Sequence, residues 1–439
     1  MRGPFTTATP GNPAADRREF MKKSAVAGSA LAASLAASPL ARAAHTGVDE
    51  TLRVGVVGCG GRGRAAAIDA LNADPQTKLV AVGDVFKDRA ESGLQAIEFD
   101  EAVADRVAVD ADHVFHGFDA YKQVIDAGVD VVILATPPHF RPDHLDYAVE
   151  KGKHVFVEKP ISVDMAGAAR VTAACETAAN KGLAIVSGLC WRYDRGVNET
   201  MDRIAGGEIG DIVAIESSYN SGTLWHRGDK PDWSRMEYQL RNWLYYTWLS
   251  GDIIAEQAIH SLDKTAWLMG DASPVKAMGM GGRQQRTDPK YGNVFDHFTV
   301  FYEYEAGPSV YFTCRQQDNC TMRVDEVVHG TKGKAEILAN RVRPQDGPEW
   351  RYDGPKTSMY FNEHVEMFKS IRAGEPINNG HYMVNSTRIA VMGRMAAYSG
   401  QTLTWDEALA STERLGPTQY GWTDVPEPTV AIPGVGTTA

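Results

Sequence analysis

Cysteine is scarce and scattered in this sequence. The five present, Cys59, Cys175, Cys190, Cys314 and Cys320, are odd in number and form no C-x-x-C pair, which argues against a disulfide framework and against the common zinc-binding spacings. Spacing alone leaves open whether Cys314 and Cys320 join in an oxidising compartment. No other metal-ligand signature is present, so no metal is expected. Long apolar runs are also lacking, and no segment beyond the first 43 residues offers the roughly twenty apolar residues of a membrane-spanning helix. Basic residues are outnumbered, 45 against 56 acidic, giving a net charge of −11. Such a surface repels phosphate backbones, and nucleic acid is not an expected partner. Repeats and low-complexity linkers are missing too. With 43% hydrophobic and 23% charged residues over 439 positions, the chain reads as globular, with enough length for two domains.

The first 43 residues have a texture of their own. Arg17 and Arg18 precede a mildly apolar Ala/Gly/Ser-rich run from Ser24 to Leu40, followed by Ala41-Arg42-Ala43. Paired arginines, a weak apolar stretch and a small-x-small site are the pattern of a twin-arginine export signal, cut after Ala43. A plain Ala-rich leader or a single anchor is the alternative. The export reading places the mature protein in the periplasm or another extracytoplasmic compartment, translocated already folded.

Glycine is concentrated where the mature chain begins in earnest. A valine-rich run, Val54 to Val57, ends in Gly58-Cys59-Gly60-Gly61-Arg62-Gly63, and a helical pattern from Ala65 to Leu71 follows. Strand, glycine turn and helix in this order form a dinucleotide fingerprint. Gly58 allows the turn, Gly60 and Gly61 let backbone N–H groups approach a pyrophosphate at the helix N-terminus, and Gly63 lets helix and strand pack closely. Asp84 closes a second strand, Leu79 to Val82, at the place where a carboxylate accepts the adenosine ribose hydroxyls and repels a 2′-phosphate. NAD is therefore favoured over NADP. Asp130 to Thr136 is a continuous apolar run that ends before Pro137-Pro138, and Lys153 to Lys159 is another that ends in Glu158-Lys159-Pro160. Continuous apolar strands separated by helical segments read as a doubly wound parallel sheet, with Gly58, Asp84, Thr136 and Lys159 on one carboxyl-end rim. Arg62, Pro137 and Glu158 belong to the same cofactor-facing set. The expected fold class is an α/β Rossmann domain over residues 50–188, an α+β domain with an open, mainly antiparallel sheet over 189–424, and an extended tail over 425–439.

The sequence resembles the glucose-fructose oxidoreductase, inositol dehydrogenase and rhizopine-catabolism (Gfo/Idh/MocA) family, from the Gly58 loop through Ala135-Thr136-Pro137-Pro138 and Glu158-Lys159-Pro160 to the late helix around Met392 to Tyr398. From residue chemistry, Lys159 at a strand's carboxyl end beside a nicotinamide stabilises a developing alkoxide, with a surface ion pair as the plainer alternative. The resemblance implies that this lysine is catalytic. Glu256, His260 and Asp263, at i, i+4 and i+7, predict one shared helix face on which carboxylates stabilise an imidazolium. In the family this helix usually carries Asp-x-Gly-x-His; here Glu256 and Ala258 replace the Asp and the Gly. Arg192 and Tyr193 match the place where family members often reach the substrate. Trp225 and His226 open a crowd of aromatic side chains that suits stacking on a sugar, an oligomer interface or a core.

The resulting expectation is an NAD-dependent oxidoreductase acting on a hydroxyl of a sugar, polyol or sugar derivative, with a tightly held cofactor and a homo-oligomeric assembly. The rival is an NAD-dependent glycoside hydrolase that works through transient C3 oxidation and elimination.

Overall fold

The computed structural model describes residues 50–305 and 307–435; the expected export signal over 1–43 lies outside them. Six strands form the first sheet: β1 (Leu52–Val57), β2 (Thr77–Asp84), β3 (Val114–His116), β4 (Val131–Leu134), β5 (His154–Val157) and β6 (Ile185–Ser187). Their order is β3-β2-β1-β4-β5-β6, and every pairing is parallel. Strand order reverses between β1 and β4, and in open α/β sheets ligands bind outside the carboxyl ends at that point. All four residues of β4 are buried, which explains its uninterrupted apolar run.

The second sheet comprises β7 (Ile212–Ser221), β8 (Lys276–Gly282), β9 (His297–Glu303), β10 (Ser309–Gln316), β11 (Arg323–Gly330), β12 (Gly333–Glu336), β13 (Arg341–Pro344), β14 (Trp350–Arg351) and β15 (Thr402–Thr404). Its order is β14-β13-β12-β11-β7-β10-β9-β8-β15. All pairings are antiparallel except that of β7 with β10. Side chains alternate along β10, with Val310 and Phe312 buried and Tyr311 exposed, as a sheet covered on one face requires. The helices Ile259–Leu268 and Gly380–Ser399 pack on the covered face.

Late chain completes the first layer. The Met359–Ala373 helix lies against the Gly61–Ala73 helix and sends Met367 and Phe368 into the core that holds Val54, Ala66 and Ala70. Arg372 pairs with Asp74 across the same contact. Residues 377–379 then run along β6, with Ile185 N–H donating to the Ile377 carbonyl and Asn379 N–H to that of Ile185. Cys314 and Cys320 are both free thiols. Among the described residues no helix is long and apolar enough to cross a membrane.

Candidate active site

A cavity of about 320 Å³ opens at the switch point. Its floor is the glycine turn. Gly58 has φ +94°, and a Cβ there would lie 2.7 Å from the Ala135 and Thr136 backbone. A Cβ on Gly63 would lie 1.8 Å from the Gly58 carbonyl oxygen, so glycine is required for the helix to seat on the strand. Around Gly60 and Gly61 a Cβ would meet nothing within 4 Å, and the Gly61–Ala73 helix has no side-chain cap. Its first N–H groups therefore face open space and suit a pyrophosphate. Asp84 accepts hydrogen bonds from Cys59 N–H at 2.8 Å and Phe86 N–H at 3.0 Å. Burial raises the pKa of this carboxyl, against the lowering effect of those two amides, and it lines the cavity. These residues fit a bound dinucleotide.

Thr136 and Pro137 line the opposite wall with His144 and Tyr121. The His144 Nδ1 lies 3.2 Å from Thr136 Oγ1, and its ring stacks on Tyr121 at 4.1 Å. Burial pulls its pKa down to about 3, so the ring is neutral. Sequence reading passed over this pair; only their place on helices beside the Thr136 rim marked them.

Lys159 follows β5 at the same rim. Its Nζ donates to the Glu256 carbonyl oxygen and lies 3.4 Å from Glu256 Oε1, a pair with both side chains about 15% exposed. The preceding residue, Glu158, is buried and contacts Arg62 Nε, and it accepts the Lys159 N–H at 3.1 Å. Burial works to raise the Glu158 pKa, but the charges of Arg62, Lys159 and Arg141 outweigh it and leave it lowered. Arg62 also donates to Glu363 at 2.7 Å. Burial and the Glu158 charge push Glu363 well above the carboxylate range, against the pull of Arg62. Arg62 thus ties the glycine turn to the segment that carries Lys159.

His260 faces these cations. Burial, then the charges of Lys159, Lys264 and Arg62, hold its pKa well below the usual histidine value, and its Nδ1 is buried with no hydrogen-bond partner among the described residues. The imidazole is neutral and can accept a proton; the expected imidazolium is not what this environment favours. The expected helix face also breaks. Chain 253–268 forms two helices, Ile253–Glu256 and Ile259–Leu268, and Asp263 turns to Arg192, with Nη2–Oδ1 at 2.9 Å. Beneath His260, Lys264 donates to its carbonyl at 2.9 Å and pairs with Glu326 at 3.3 Å, both side chains fully buried. Burial raises Glu326 to about 7.

The residues read as substrate contacts separate. Arg192 is committed to Asp263 and Asp271 and lies over the Tyr382 ring at 4.0 Å. Tyr193 donates to Asn379 Oδ1 at 2.9 Å. Trp225 joins Trp243 in the wall of the cofactor cavity, whereas His226 bonds Tyr238 and the Lys290 carbonyl. Tyr238, Tyr245 and Tyr246 are core. Among the described residues no group of His, Cys, Asp or Glu side chains could hold a metal.

Comparison with known proteins adds a second line. Residues 52–185 match the model of the GFO_IDH_MocA oxidoreductase family, NAD-binding Rossmann fold, and residues 197–336 match a GFO/IDH/MocA C-terminal domain. The chain is 27% identical over 262 residues to the scyllo-inositol 2-dehydrogenase (NAD(+)) of Bacillus subtilis, covering 59% of this chain and 66% of that protein. It is 25% identical to an inositol 2-dehydrogenase of Rhizobium meliloti over 67% of this chain and 77% of the relative. It is also 27% identical to the 2,7-anhydro-N-acetylneuraminate hydratase of Escherichia coli over 48% of this chain and 51% of the relative. The chain therefore spans between about half and three quarters of the length of these three. Among solved structures, an aldose-aldose oxidoreductase from Caulobacter crescentus superposes with TM-score 0.61 at 20% identity, covering 81% of this chain and all of that one. An oxidoreductase from Agrobacterium radiobacter, solved with NAD+, L-tartaric acid and magnesium, gives 0.60 at 14% identity, covering 81% and 98%.

Proposed function

The chain belongs to the Gfo/Idh/MocA oxidoreductase family, and from that premise we propose that it oxidises or reduces a hydroxyl-bearing carbon of a sugar, polyol or sugar derivative with NAD. The observation that carries this reading is that Lys159, at the strand-end rim, contacts Glu256 and, with Arg62 of the glycine turn, acts by charge on a neutral His260, although none of Lys159, Glu256 and His260 is among the residues lining the cofactor cavity. Bound NAD supplies the hydride acceptor. The open N–H groups at Gly60 and Gly61 receive its pyrophosphate, and Asp84 its adenosine ribose. The Lys159 ammonium favours the alkoxide form of the substrate hydroxyl, and Glu256 keeps that ammonium in place. His260, neutral at physiological pH, takes the hydroxyl proton. In the reverse direction Lys159 would steady the nascent alkoxide, and a proton that His260 takes up from solvent would pass to it. Incubation with NAD and a panel of inositols and aldoses tests the proposal: NADH formation with at least one of them supports it, and none with any polyol or sugar counts against it.

A second reading is redox-neutral turnover, in which hydride is borrowed and returned during elimination at a glycosidic or anhydro linkage. The similarity to the Escherichia coli hydratase favours keeping it. Consumption of an aryl glycoside without net NADH distinguishes it from simple dehydrogenation.

Export by the Arg17-Arg18 signal in a cofactor-loaded state is part of the same proposal, and a tightly held nucleotide follows from it. Tyr420 supports that reading by stacking on Phe118 at 5.6 Å, as does Trp422, which lies 5.0 Å from Phe118 and 5.6 Å from Phe86. Phe86 and Phe118 both line the cofactor cavity. Arg241, from the opposite wall, pairs with Asp88 at 3.0 Å and covers the Phe86 ring. Self-association through the open face of the second sheet, where Met278, Met280 and Tyr311 are exposed, completes the proposal; light scattering that gives a monomer mass contradicts it.

A further inference from the structure

We propose that Lys264 and Glu326, an ion pair sealed one helical turn behind His260, are positioning residues for the reaction: they hold that turn of helix and direct a second cation toward the imidazole, keeping it uncharged when it meets the substrate hydroxyl. This rests on the reading of His260 as the group that takes the proton.

Both side chains are fully buried, with Lys264 Nζ 3.3 Å from Glu326 Oε2. The same ammonium donates to the His260 carbonyl at 2.9 Å and lies 5.1 Å from the centre of the Trp191 ring. It thereby bridges the helix that carries the base, β11 of the second sheet and the segment that follows β6. Neither residue is among those lining the cofactor cavity. Taking two charges out of water costs more than their attraction commonly returns, and two apolar side chains would fill the same space at least as stably. Stability alone therefore gives no reason for this pair.

The charges around His260 supply one. From the rim of the first sheet come Lys159, paired with Glu256, and Arg62, paired with Glu158 and Glu363. From its own helix comes Lys264, paired with Glu326. Asp263 and Asp271 are held by Arg192, over the Tyr382 ring of the Gly380–Ser399 helix, and Asp325 accepts the backbone N–H groups of Glu326 and Leu338. On β7 Tyr219 stays a neutral phenol, since burial and then the Glu256 charge push it up to about 12, and burial keeps Cys190 a thiol, also at about 12. Two ion pairs thus flank the imidazole, and after burial it is their cations, with Arg62, that oppose its protonation. Glu326 sharpens this. Burial, against the pull of Lys264, raises its carboxyl to about 7, so as pH falls it takes up a proton before His260 does. The Lys264 cation then loses its counter-charge in the range where an ordinary histidine would begin to ionise.

The test follows NADH formation by the NAD-loaded full chain, with the inositol or aldose turned over fastest, as kcat/KM against pH. Lys264→Met removes the cation and leaves a carboxyl free to protonate, and it should raise the acid limb by about one pH unit. Glu326→Gln keeps the shape and bares the cation, and it should lower the limb. Lys264→Met combined with Glu326→Gln spares the fold an unpaired buried charge; its limb should also lie above that of the unaltered protein. A packing role alone gives no such opposed shifts. An unmoved limb in Lys264→Met or in the double variant overturns the proposal, as does a shift of the same sign in Lys264→Met and Glu326→Gln. His260→Ala separates this result from the reading beneath it. Loss of the limb there, beside an unmoved limb in Lys264→Met, refutes the pair alone; a limb that survives in His260→Ala, or no NADH with any inositol or aldose, refutes the proposed base or the oxidation itself, and this inference with it.

Discussion

His260 shows how much one side chain depends on its neighbours. Spacing on a helix suggested flanking carboxylates, but the residues that face it are Lys159, Lys264 and Arg62, and together with burial they lower its pKa. A base that stays neutral below the ordinary histidine range keeps working there, so the acid limb of kcat/KM for alcohol oxidation should fall below about pH 6.5. A limb at or above that value in a pH–rate profile would contradict the assignment. His364 makes a different point. It is buried against Phe156 at 4.3 Å, neither ring nitrogen has a hydrogen-bond partner among the described residues, and burial lowers its pKa to about 3. Below pH 6.5 the unfolded chain takes up a proton there and the folded chain does not, so stability falls as pH drops toward 3, by about 1.4 kcal/mol per unit. Near pH 4.5 the His364→Leu variant should therefore have lost roughly 2 to 3 kcal/mol less than the parent relative to neutral pH. Urea unfolding at the two pH values measures this. No sequence pattern announces such a residue, because its neutrality is set by burial against the sequence-distant Phe156 and by the charge of Arg62.

At the scale of elements, the Rossmann strands were legible because burial on both faces writes itself as unbroken apolar runs, as in Val131–Leu134. The glycine turn was legible because only glycine fits where a Cβ would strike the Gly58 carbonyl. Gly63→Ala should accordingly cost about 3 kcal/mol or more and abolish NADH binding, read by thermal unfolding and fluorescence titration. Less was readable in the second half. The open, mainly antiparallel sheet was expected without its strand divisions, and β11 and β12 fold back on each other through a turn at Thr331 and Lys332. The break at Gln257 and Ala258 was hidden because both flanking stretches are helical. The aromatic crowd from Trp225 to Trp248 has no periodicity that separates cleft wall from core, and the structure divides it between the two.

For the molecule as a whole, a boundary near residue 188 describes the order along the chain better than the arrangement in space. The Met359–Ala373 helix and residues 377–379 return to complete the first layer, and such returns leave no local trace in sequence. The chain from Ser411 to Glu427, which straddles the start of the expected tail at residue 425, packs on the rest of the fold. Arg235 meets Glu427 and Asp424, and Tyr420 and Trp422 brace the Phe86 and Phe118 side of the cofactor cavity. The paired substitution Tyr420→Ala and Trp422→Ala should raise the NADH dissociation rate by about tenfold or more, as stopped-flow exchange would show, with little change in catalytic steps once the nucleotide is bound. The central claim is that the Lys159 ammonium beside His260 drives hydride transfer between substrate and a nicotinamide held on the glycine turn. Rapid mixing of NAD-loaded protein with an inositol or aldose substrate tests it most directly, by the rate of nicotinamide reduction in a single turnover. Lys159→Ala should slow that step by about a hundredfold or more while nucleotide binding is retained; reduction at the parental rate would contradict the account.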